Sequence, residues 1–273
     1  MRKYNEEALK STARKIRSHI IQMTSLAGSG HPGPSFSIVE ILTMLYFHKM
    51  RYDPADPDWE QRDRFVLSKG HAAPALYGTL IELGVYSTRE IMNFRKMSSP
   101  FQGHPDGKVP GIDATTGSLG IGLSQAVGMA LAAKRRSLDL IVYGLIGDGE
   151  CNEGQIWEAA LFAQHHKLDN LVIFLDNNGD QFEGAVKEVL DISPLGRKWE
   201  AFGWEVYEFN GHDFSQIRDF FNSIDAINGK PKLGIAHTVK GFGVSFMEGN
   251  HDYHARSLNG DETRLALIEL GEV

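Results

Sequence analysis

Two short polar segments contain residue types that can bind a metal ion and a phosphate. Gly147-Asp148-Gly149-Glu150 follows one apolar run, and Asp176-Asn177-Asn178-Gly179 follows the next apolar run along the chain. Asp148 and Asn178 each provide a hard oxygen, the ligand type that Mg²⁺ and Ca²⁺ prefer. Glycines let the backbone approach a phosphate, and the N-terminus of a following helix attracts an anion. Together the two segments predict a metal ion that bridges a diphosphate.

The triplet Gly147-Asp148-Gly149 taken alone is most simply a plain turn, because turns use much of the glycine in proteins. Asn178 strengthens the binding interpretation, because ligands of α/β sheets gather beyond the carboxyl ends of neighbouring strands. From these residues alone, a pair of structural turns and a cofactor site both remain open.

Four of the eleven histidines lie beside glycine or proline, or in a predicted loop: His31, His71, His104 and His254. Histidine transfers protons near neutral pH, so this set could act on the hydroxyl groups of a small molecule. A histidine in a loop of this kind is more often a solvated or capping residue. Both interpretations stay open until the residues are placed in space.

The elements that must position these residues alternate between strand-length apolar runs and segments with helical spacing. Continuous apolar strands separated by helices predict a parallel sheet with right-handed crossovers. We therefore predict a three-layer α/β fold, a parallel sheet with helices on both faces, as one domain over residues 1–273, with a long ordered loop at 97–116. The predicted strands are 64–68, 140–146, 171–175, 204–208 and 232–236, and the predicted helices are 5–27, 38–48, 72–83, 122–135, 155–166, 195–202 and 215–227.

The composition narrows the class of protein. Of the 273 residues, 28 are Lys or Arg and 35 are Asp or Glu, which gives a net charge of −7 and argues against a general nucleic-acid binder. The single cysteine, Cys151, excludes an intramolecular disulfide and fits a reducing cytosol. The start of the chain is charged, and the apolar runs are far shorter than a membrane span. We expect a soluble cytoplasmic protein that binds neither nucleic acid nor membrane.

Several blocks together resemble the transketolase family. Gly147-Asp-Gly149 followed after 28 residues by Asn178 resembles the thiamine-diphosphate fingerprint. Other blocks are similar to transketolase segments and come in the transketolase order, so the resemblance extends from about residue 13 to about residue 260. These blocks are Ser29-Gly-His31-Pro-Gly33, Ser68-Lys-Gly-His71-Ala72, Gly103-His104-Pro105, Thr115-Thr-Gly117-Ser-Leu119-Gly120, residues 147–154, Lys167-Leu-Asp-Asn-Leu171, His237-Thr-Val-Lys240-Gly241 and His254.

The resemblance implies a role for each matched residue. Asp148, Asn178 and the backbone carbonyl of Asp180 would ligate Mg²⁺, for which Ca²⁺ or Mn²⁺ can substitute. The expected contacts with thiamine diphosphate are His71, Gly117, Ser118, Leu119, Gly147, Asp148, Gly149, Glu150, Asn178, Phe182, Lys240 and His254. The expected catalytic residues are His31, His71, His104, His254 and Glu153, with His31 and His104 on the substrate hydroxyls. Glu153 would carry protons between active sites, or it would only be a carboxylate at a helix N-terminus that the helix dipole stabilises.

Five positions depart from the family pattern. Asp180 stands where an aliphatic residue is usual, so its side chain would add a metal ligand or face water. Phe182 replaces a smaller aliphatic residue and would narrow the pocket near the thiazolium ring. Pro34 lacks the N–H of the residue it replaces. Phe242 and Ala255 replace residues on the side that would bind the substrate phosphate, so we expect unusual sugar preference.

The resemblance implies transfer of a two-carbon ketol unit from a ketose phosphate to an aldose phosphate. Only the diphosphate-binding half is covered, so the pyrimidine-binding and C-terminal domains are expected on a separate chain, in an α2β2 heterotetramer. The chain alone should be inactive. Alternatives are a transketolase-like enzyme for branched, deoxy or sulfonated sugars, a 2-oxoacid dehydrogenase α chain, and a non-catalytic scaffold.

Overall fold

Five parallel strands form the central sheet of the molecule. The computed structural model describes residues 4–225 and 228–272. The sheet strands are β1 (Arg64–Leu67), β2 (Val142–Gly147), β3 (Leu171–Asn177), β6 (Glu205–Asn210) and β7 (Lys232–His237), and β4 (Asp180–Gln181) pairs with β5 (Gly184–Ala185) in a separate hairpin. Across the sheet the order is β1-β2-β3-β7-β6, and every neighbouring pair is parallel.

Helices alternate with the sheet strands along the chain, as the pattern predicts, and further helices precede β1 and follow β7. They are α1 (Glu6–Ala27), α2 (Pro32–Phe36), α3 (Val39–Met44), α4 (Ala73–Glu82), α5 (Ile121–Arg135), α6 (Gly154–His165), α7 (Val186–Val189), α8 (Leu195–Ala201), α9 (Phe214–Ser223) and α10 (Gly260–Glu269). No helix in the described part of the chain is long and apolar enough to cross a membrane.

Alternate residues of each strand supply two separate apolar cores. Phe65 and Tyr143 pack in one core with residues of α1, α3, α4 and α9. Val66 and Val142, their neighbours in sequence, pack in the other core with residues of α5, α6 and α8. Since side chains of a strand alternate between faces, helices cover both faces of the sheet. The predicted three-layer arrangement is confirmed.

The predicted elements match the observed ones closely, with three differences. The helix predicted at 38–48 is α3 followed by a π-helical turn, Leu45–Lys49. The helix predicted at 215–227 is α9, and residues 226 and 227 lie outside the described residues. The hairpin β4–β5 and the helices α2, α7 and α10 were not predicted, because two-residue strands, helices of four or five residues and a weakly amphipathic terminal helix carry little periodicity.

The loop over 97–116 contains neither helix nor strand, as predicted, and it is anchored to the fold. The hydroxyl of Tyr77 on α4 donates to the carbonyl oxygens of Gln102 and His104, at 3.0 and 3.1 Å. The Tyr77 ring also stacks on Phe101, with centroids 4.3 Å apart. These contacts fix the backbone that carries His104.

Candidate active site

A cavity of about 700 Å³ opens beyond the carboxyl ends of β1, β2, β3 and β7. We call it the main cavity. It includes every residue predicted for the site except Ser118, which is exposed and does not line it, so the lining gives no support to the prediction for Ser118. Its lining residues are His31, Pro34, Lys69, His71, His104, Gly117, Leu119, Gly147, Asp148, Gly149, Glu150, Asn152, Glu153, Asn178, Asp180, Gln181, Phe182, Glu183, Val189, Lys240 and His254.

Asp148 joins the two glycine-containing turns. Its Oδ1 accepts a hydrogen bond from the Gly149 N–H at 2.8 Å, and its Oδ2 accepts one from the Gly179 N–H at 2.6 Å. Burial, followed by the charge of Asp176, raises the pKa of Asp148 to about 6. The two backbone N–H groups are its hydrogen-bond donors, and no cationic side chain of the described residues forms an ion pair with it. Such a buried carboxylate favours a bound cation.

Asn178 is oriented by a buried carboxylate behind it. Its Nδ2 donates to Asp176 Oδ2 at 2.8 Å, and its Oδ1 accepts from the Asp180 N–H at 3.2 Å. Asp176 is fully buried and also accepts hydrogen bonds from Lys69, Ser37 and Thr238. These two contacts fix the orientation of the Asn178 amide, with its oxygen toward the Asp180 N–H.

The donor set fits a hard divalent cation. A carboxylate, a carboxamide oxygen and a nearby carbonyl are oxygen ligands that suit Mg²⁺. Among residues 4–225 and 228–272, no three His, Cys, Asp or Glu side chains come together as a metal cluster. A metal here would thus depend on Asn178, a backbone carbonyl and the diphosphate in addition to Asp148.

Glu150 accepts three hydrogen bonds from residues around the main cavity. Its Oε1 accepts from the Ser68 hydroxyl at 2.7 Å and from the Gly120 N–H at 2.8 Å, and its Oε2 accepts from the Gly147 N–H at 2.8 Å. Although Glu150 borders the main cavity, both of its carboxylate oxygens already accept hydrogen bonds from other residues of the chain. The residue links the 117–120 turn to the turn after β2, a positioning role that the sequence did not reveal.

Three histidines, His31, His71 and His254, form a compact cluster on one wall of the main cavity, and we call this cluster the histidine wall. The ring centroids of His31 and His71 are 5.1 Å apart, and that of His254 is 5.9 Å from His31 and 5.6 Å from His71. Burial, followed by the charges of Arg95, His104 and Lys240, lowers the pKa of His31 to about 4. Burial and then Lys240 lower the pKa of His254 to about 3. The His31 and His254 rings are therefore neutral at pH 7.

One feature of the histidine wall suits a polar ligand: the Nδ1 atom of His31 is buried and has no hydrogen-bond partner within the described chain. His104 lies beside Gly117, where an added Cβ would be 3.6 Å from the imidazole Cγ, an ordinary van der Waals distance. The predicted histidines therefore do meet in one place, although they lie far apart in sequence.

Lys240 lies at the centre of an ionic contact that the sequence did not predict. Its Nζ is 2.8 Å from Asp180 Oδ2 and 2.8 Å from His254 Nδ1. Asp180 also contacts His251 Nδ1, at 2.9 Å from Oδ1. The Asp180 carboxylate is thus engaged by two basic side chains, and 23% of the side chain remains exposed to water. An additional role for this carboxylate as a metal ligand stays a prediction.

The other departures from the family pattern have different surroundings. Phe182 is 63% exposed at the cavity wall, with its ring 5.5 Å from that of His254 and nearly perpendicular to it. Pro34 uses its carbonyl to accept a hydrogen bond from Lys69 Nζ at 2.8 Å. Phe242 and Ala255 do not line the main cavity, so the expectation that both disturb the substrate side has no support in its lining.

Glu153 lies on the rim of the main cavity, directly before α6, and is exposed. Sequence reasoning missed Lys69, Asn152 and Gln181, which also line the cavity. Lys69 stands within the Ser68-Lys-Gly-His71 block, and that position was the available signal. The side chains of Asn152 and Gln181 contact each other at 3.1 Å.

A parallel α/β sheet with a metal- and diphosphate-type site beyond its strand ends defines a class of cofactor-binding domains. Residues 8–272 match the family model described as the transketolase, thiamine diphosphate binding domain. The chain belongs to the transketolase family.

Related proteins fall into two groups by length. An apulose-4-phosphate transketolase subunit of Phocaeicola vulgatus is 43% identical over 97% of this chain and 95% of that protein. The 6-deoxy-6-sulfo-D-fructose transketolase subunit SqwG of a Clostridium species is 42% identical over 96% of each chain. The solved transketolase of Campylobacter jejuni superposes with a TM-score of 0.92 at 35% identity, over 98% of this chain but 43% of that one. The chain thus spans about two fifths of the solved transketolase.

Proposed function

We propose that this chain is the cofactor-binding subunit of a two-chain transketolase that transfers a two-carbon ketol unit from a ketose phosphate to an aldose phosphate. The observation that carries the proposal is the meeting of Asp148, Asn178, Lys240 and the histidine wall in one cavity at the sheet edge. A scaffold would not require this combination of oxygen ligands, a cation and neutral imidazoles.

In the proposed site, Asp148, Asn178 and the Asp180 carbonyl hold Mg²⁺. The Gly149 N–H, His71, Lys240 and His254 contact the diphosphate, while Gly117 and Leu119 line the aminopyrimidine. The negative charge of two phosphates is then offset by the metal and by Lys240. When bound, thiamine diphosphate supplies a nucleophilic carbon for making and breaking carbon–carbon bonds beside a carbonyl.

The histidines take the proton-transfer roles. Low pKa values keep His31 and His254 neutral at pH 7 in the absence of ligand. We assign them proton exchange with sugar hydroxyls, because the negative charge of a bound diphosphate would raise each pKa toward neutrality, where proton transfer is efficient. His31 and His104 both line the main cavity and are assigned to the substrate hydroxyls. Glu153, exposed on the rim, is assigned to proton communication with a second active site.

A separate chain is needed to complete the enzyme. The relatives of matching length are named as transketolase subunits, and the longer relatives contain additional sequence. We assign the pyrimidine-binding and C-terminal domains to that partner, in an α2β2 assembly. A cytoplasmic location belongs to the same proposal and is supported by the single, buried cysteine.

A non-standard sugar is the second candidate substrate. Two relatives of matching length are named for apulose 4-phosphate and for a 6-deoxy-6-sulfo sugar. Phe182, which the resemblance assigns to the thiazolium side of the site, has an exposed ring on the cavity wall, and this ring would change the shape of the donor site. Both observations favour a test that includes branched and sulfonated ketoses.

The experiment is co-purification with the partner chain followed by a two-carbon transfer assay. Donors would include xylulose 5-phosphate, fructose 6-phosphate, apulose 4-phosphate and a sulfonated ketose, each with Mg²⁺ and thiamine diphosphate. We expect transfer from at least one donor by the complex and none by either chain alone. An Asp148→Ala complex that keeps full activity would contradict the proposal and favour a scaffold.

A further inference from the structure

A buried charged cluster lies beside the main cavity without lining it. Arg17 of α1 and Glu40 of α3 form a two-point ion pair, with Nη1 2.7 Å from Oε1 and Nη2 2.8 Å from Oε2. His212, in the turn after β6, approaches Glu40 Oε2 with its Nδ1 at 2.9 Å. The three side chains are at most 6% exposed. We call them the Arg17–Glu40–His212 cluster.

The cluster directs its remaining contacts to one short segment, residues 239–242. The Val239 N–H donates to His212 Nε2 at 2.8 Å, and Arg17 Nε donates to the Phe242 carbonyl at 2.7 Å. The Phe242 ring stacks on His212 with centroids 3.8 Å apart and planes 14° apart. The Arg17 guanidinium carbon is 5.4 Å from the same ring. The aromatic residue that departs from the family pattern therefore faces this cluster.

The contact with Val239 determines which imidazole nitrogen carries the proton. A backbone N–H can only donate, so His212 Nε2 must be the acceptor. The proton of the neutral imidazole then lies on Nδ1 and is donated to Glu40. His212 thus connects a buried carboxylate directly to the backbone of the segment.

Lys240 lies between the two anchored residues. Its side chain turns the other way, into the main cavity, where Nζ meets Asp180 and His254. The next residue, Gly241, has φ +75°, and an added Cβ there would collide with the Met247 carbonyl oxygen, so the segment is also closely packed from behind. Because a lysine side chain has four rotatable bonds, its ammonium can reach many positions. A fixed backbone reduces that range by fixing the point from which the side chain starts.

We propose that the Arg17–Glu40–His212 cluster positions Lys240 for the diphosphate, with His212 as the key positioning residue. The inference rests on the proposed function only in taking Lys240 as a diphosphate contact. Buried ion pairs add little net stability, because desolvation offsets most of their attraction, but they impose direction on what they contact. The two hydrogen bonds and the ring stacking that join the cluster to residues 239–242 are directional contacts of this kind.

The test compares two substitutions that each keep half of the imidazole's bonding. His212→Gln can place Oε1 where Nε2 stood and so keep an acceptor for Val239. His212→Asn can keep a donor to Glu40 but cannot reach Val239. His165→Asn, at an exposed position at the end of α6, is the matched control. Each variant is made in the full chain and purified with its partner subunit.

The readouts are the Kd for thiamine diphosphate with Mg²⁺, kcat at saturating cofactor, and the thermal midpoint. Leaving the Val239 N–H unpaired should weaken cofactor binding about tenfold in His212→Asn. We expect less than threefold in His212→Gln and no change in His165→Asn, with kcat within twofold throughout. Phe242→Ala, which removes the stacked ring but keeps its carbonyl, should weaken binding about threefold if His212→Asn does not fold.

Three results would overturn the inference. One is an unchanged Kd in both His212→Asn and Phe242→Ala. Another is equal weakening in His212→Gln and His212→Asn that follows only their loss of thermal midpoint. The third is a loss of kcat at unchanged Kd. Failure of the unsubstituted complex to bind thiamine diphosphate would instead contradict the proposed function, so the two failures are distinguishable.

Discussion

The carboxylate of Asp180 and the ammonium of Lys240 lie 2.8 Å apart on the wall of the main cavity. The lysine is 4% exposed and the aspartate 23%, so the pair is only partly screened by water. The cation assigned to the diphosphate is therefore already partnered by an anion of the same chain. A diphosphate that binds Lys240 must share it with this carboxylate or displace it.

Removing that charge should strengthen cofactor binding. Asp180→Asn keeps the backbone carbonyl proposed as a metal ligand but ends the competition for Lys240. We expect the Kd for thiamine diphosphate to fall about three- to fivefold, the effect of about 1 kcal/mol. Isothermal titration of the complex with saturating Mg²⁺ measures it. Glu188→Gln, an exposed charge removal on α7, is the control, and weaker binding by Asp180→Asn would show that the carboxylate itself holds the metal.

Asp148→Asn should stabilise the metal-free chain while removing metal binding. The folded pKa of about 6 lies above the unfolded value of 3.8, so the ionised carboxylate costs folding free energy above pH 6. At pH 8 removing the charge should gain up to about 3 kcal/mol, the size of a two-unit shift. About 2 kcal/mol should be lost because the amide nitrogen cannot accept from the Gly149 or Gly179 N–H, so the variant should be more stable by about 1 kcal/mol. The advantage should disappear as the pH falls from about 6 to about 4. Urea unfolding of the variant and of the unsubstituted chain, measured in EDTA at pH 8 and at about pH 4, checks this.

Added Mg²⁺ provides the matching test of the same residue. It should raise the thermal midpoint of the unsubstituted chain in the presence of thiamine diphosphate, because a ligand that binds only the folded state stabilises it. The Asp148→Asn chain should show no such rise. A variant that is less stable than the unsubstituted chain at pH 8 without metal would contradict the account.

His31 should make the fold sensitive to acid. Its folded pKa of about 4 lies below the value of 6.5 for an ordinary histidine, so the unfolded chain binds a proton that the folded chain rejects. Stability is then lost as the pH falls from about 6.5 to about 4, by up to about 3 kcal/mol from this residue. His31→Asn should lose less over that range, whereas His165→Asn should parallel the unsubstituted chain in urea unfolding.

Phe182 should limit the donor sugars that the enzyme accepts. Its exposed ring stands edge-on to His254, and Phe182→Ile would leave more room there. We expect the ratio of kcat/KM for branched donors to kcat/KM for linear donors to change by about tenfold. A pocket discriminates by about this factor between groups that differ by one methylene. Phe182→Tyr keeps the size and is the control. Equal ratios in all three enzymes would contradict a role for this ring in selection.

Much of the architecture was predictable because its strands are long and buried on both faces. The run Leu171–Asn177 and its neighbours carry enough apolar residues to indicate a parallel sheet without other information. The short hairpin β4–β5 was not predictable, since two residues show no period. The π-helical turn at Leu45–Lys49 was missed because its apolar spacing resembles that of the helix it follows.

The candidate site was predictable in its members but not in their contacts. Gly147 ends β2, and Asp148 and Asn178 follow β2 and β3, so their meeting at one sheet edge follows from topology. The pairing of Asp180 with Lys240 depends on side chains 60 residues apart that no local pattern connects. The same holds for Glu150, whose three hydrogen bonds use its carboxylate within the protein.

The cofactor cavity draws its wall from both ends of the chain, because His31 follows α1 and His254 precedes α10. Bringing such distant positions together costs chain entropy, so the wall is complete only when both ends of the chain have packed against the sheet. A polypeptide without either end would lack part of this wall. If the cavity binds thiamine diphosphate as proposed, its occupancy would report that both ends are in place.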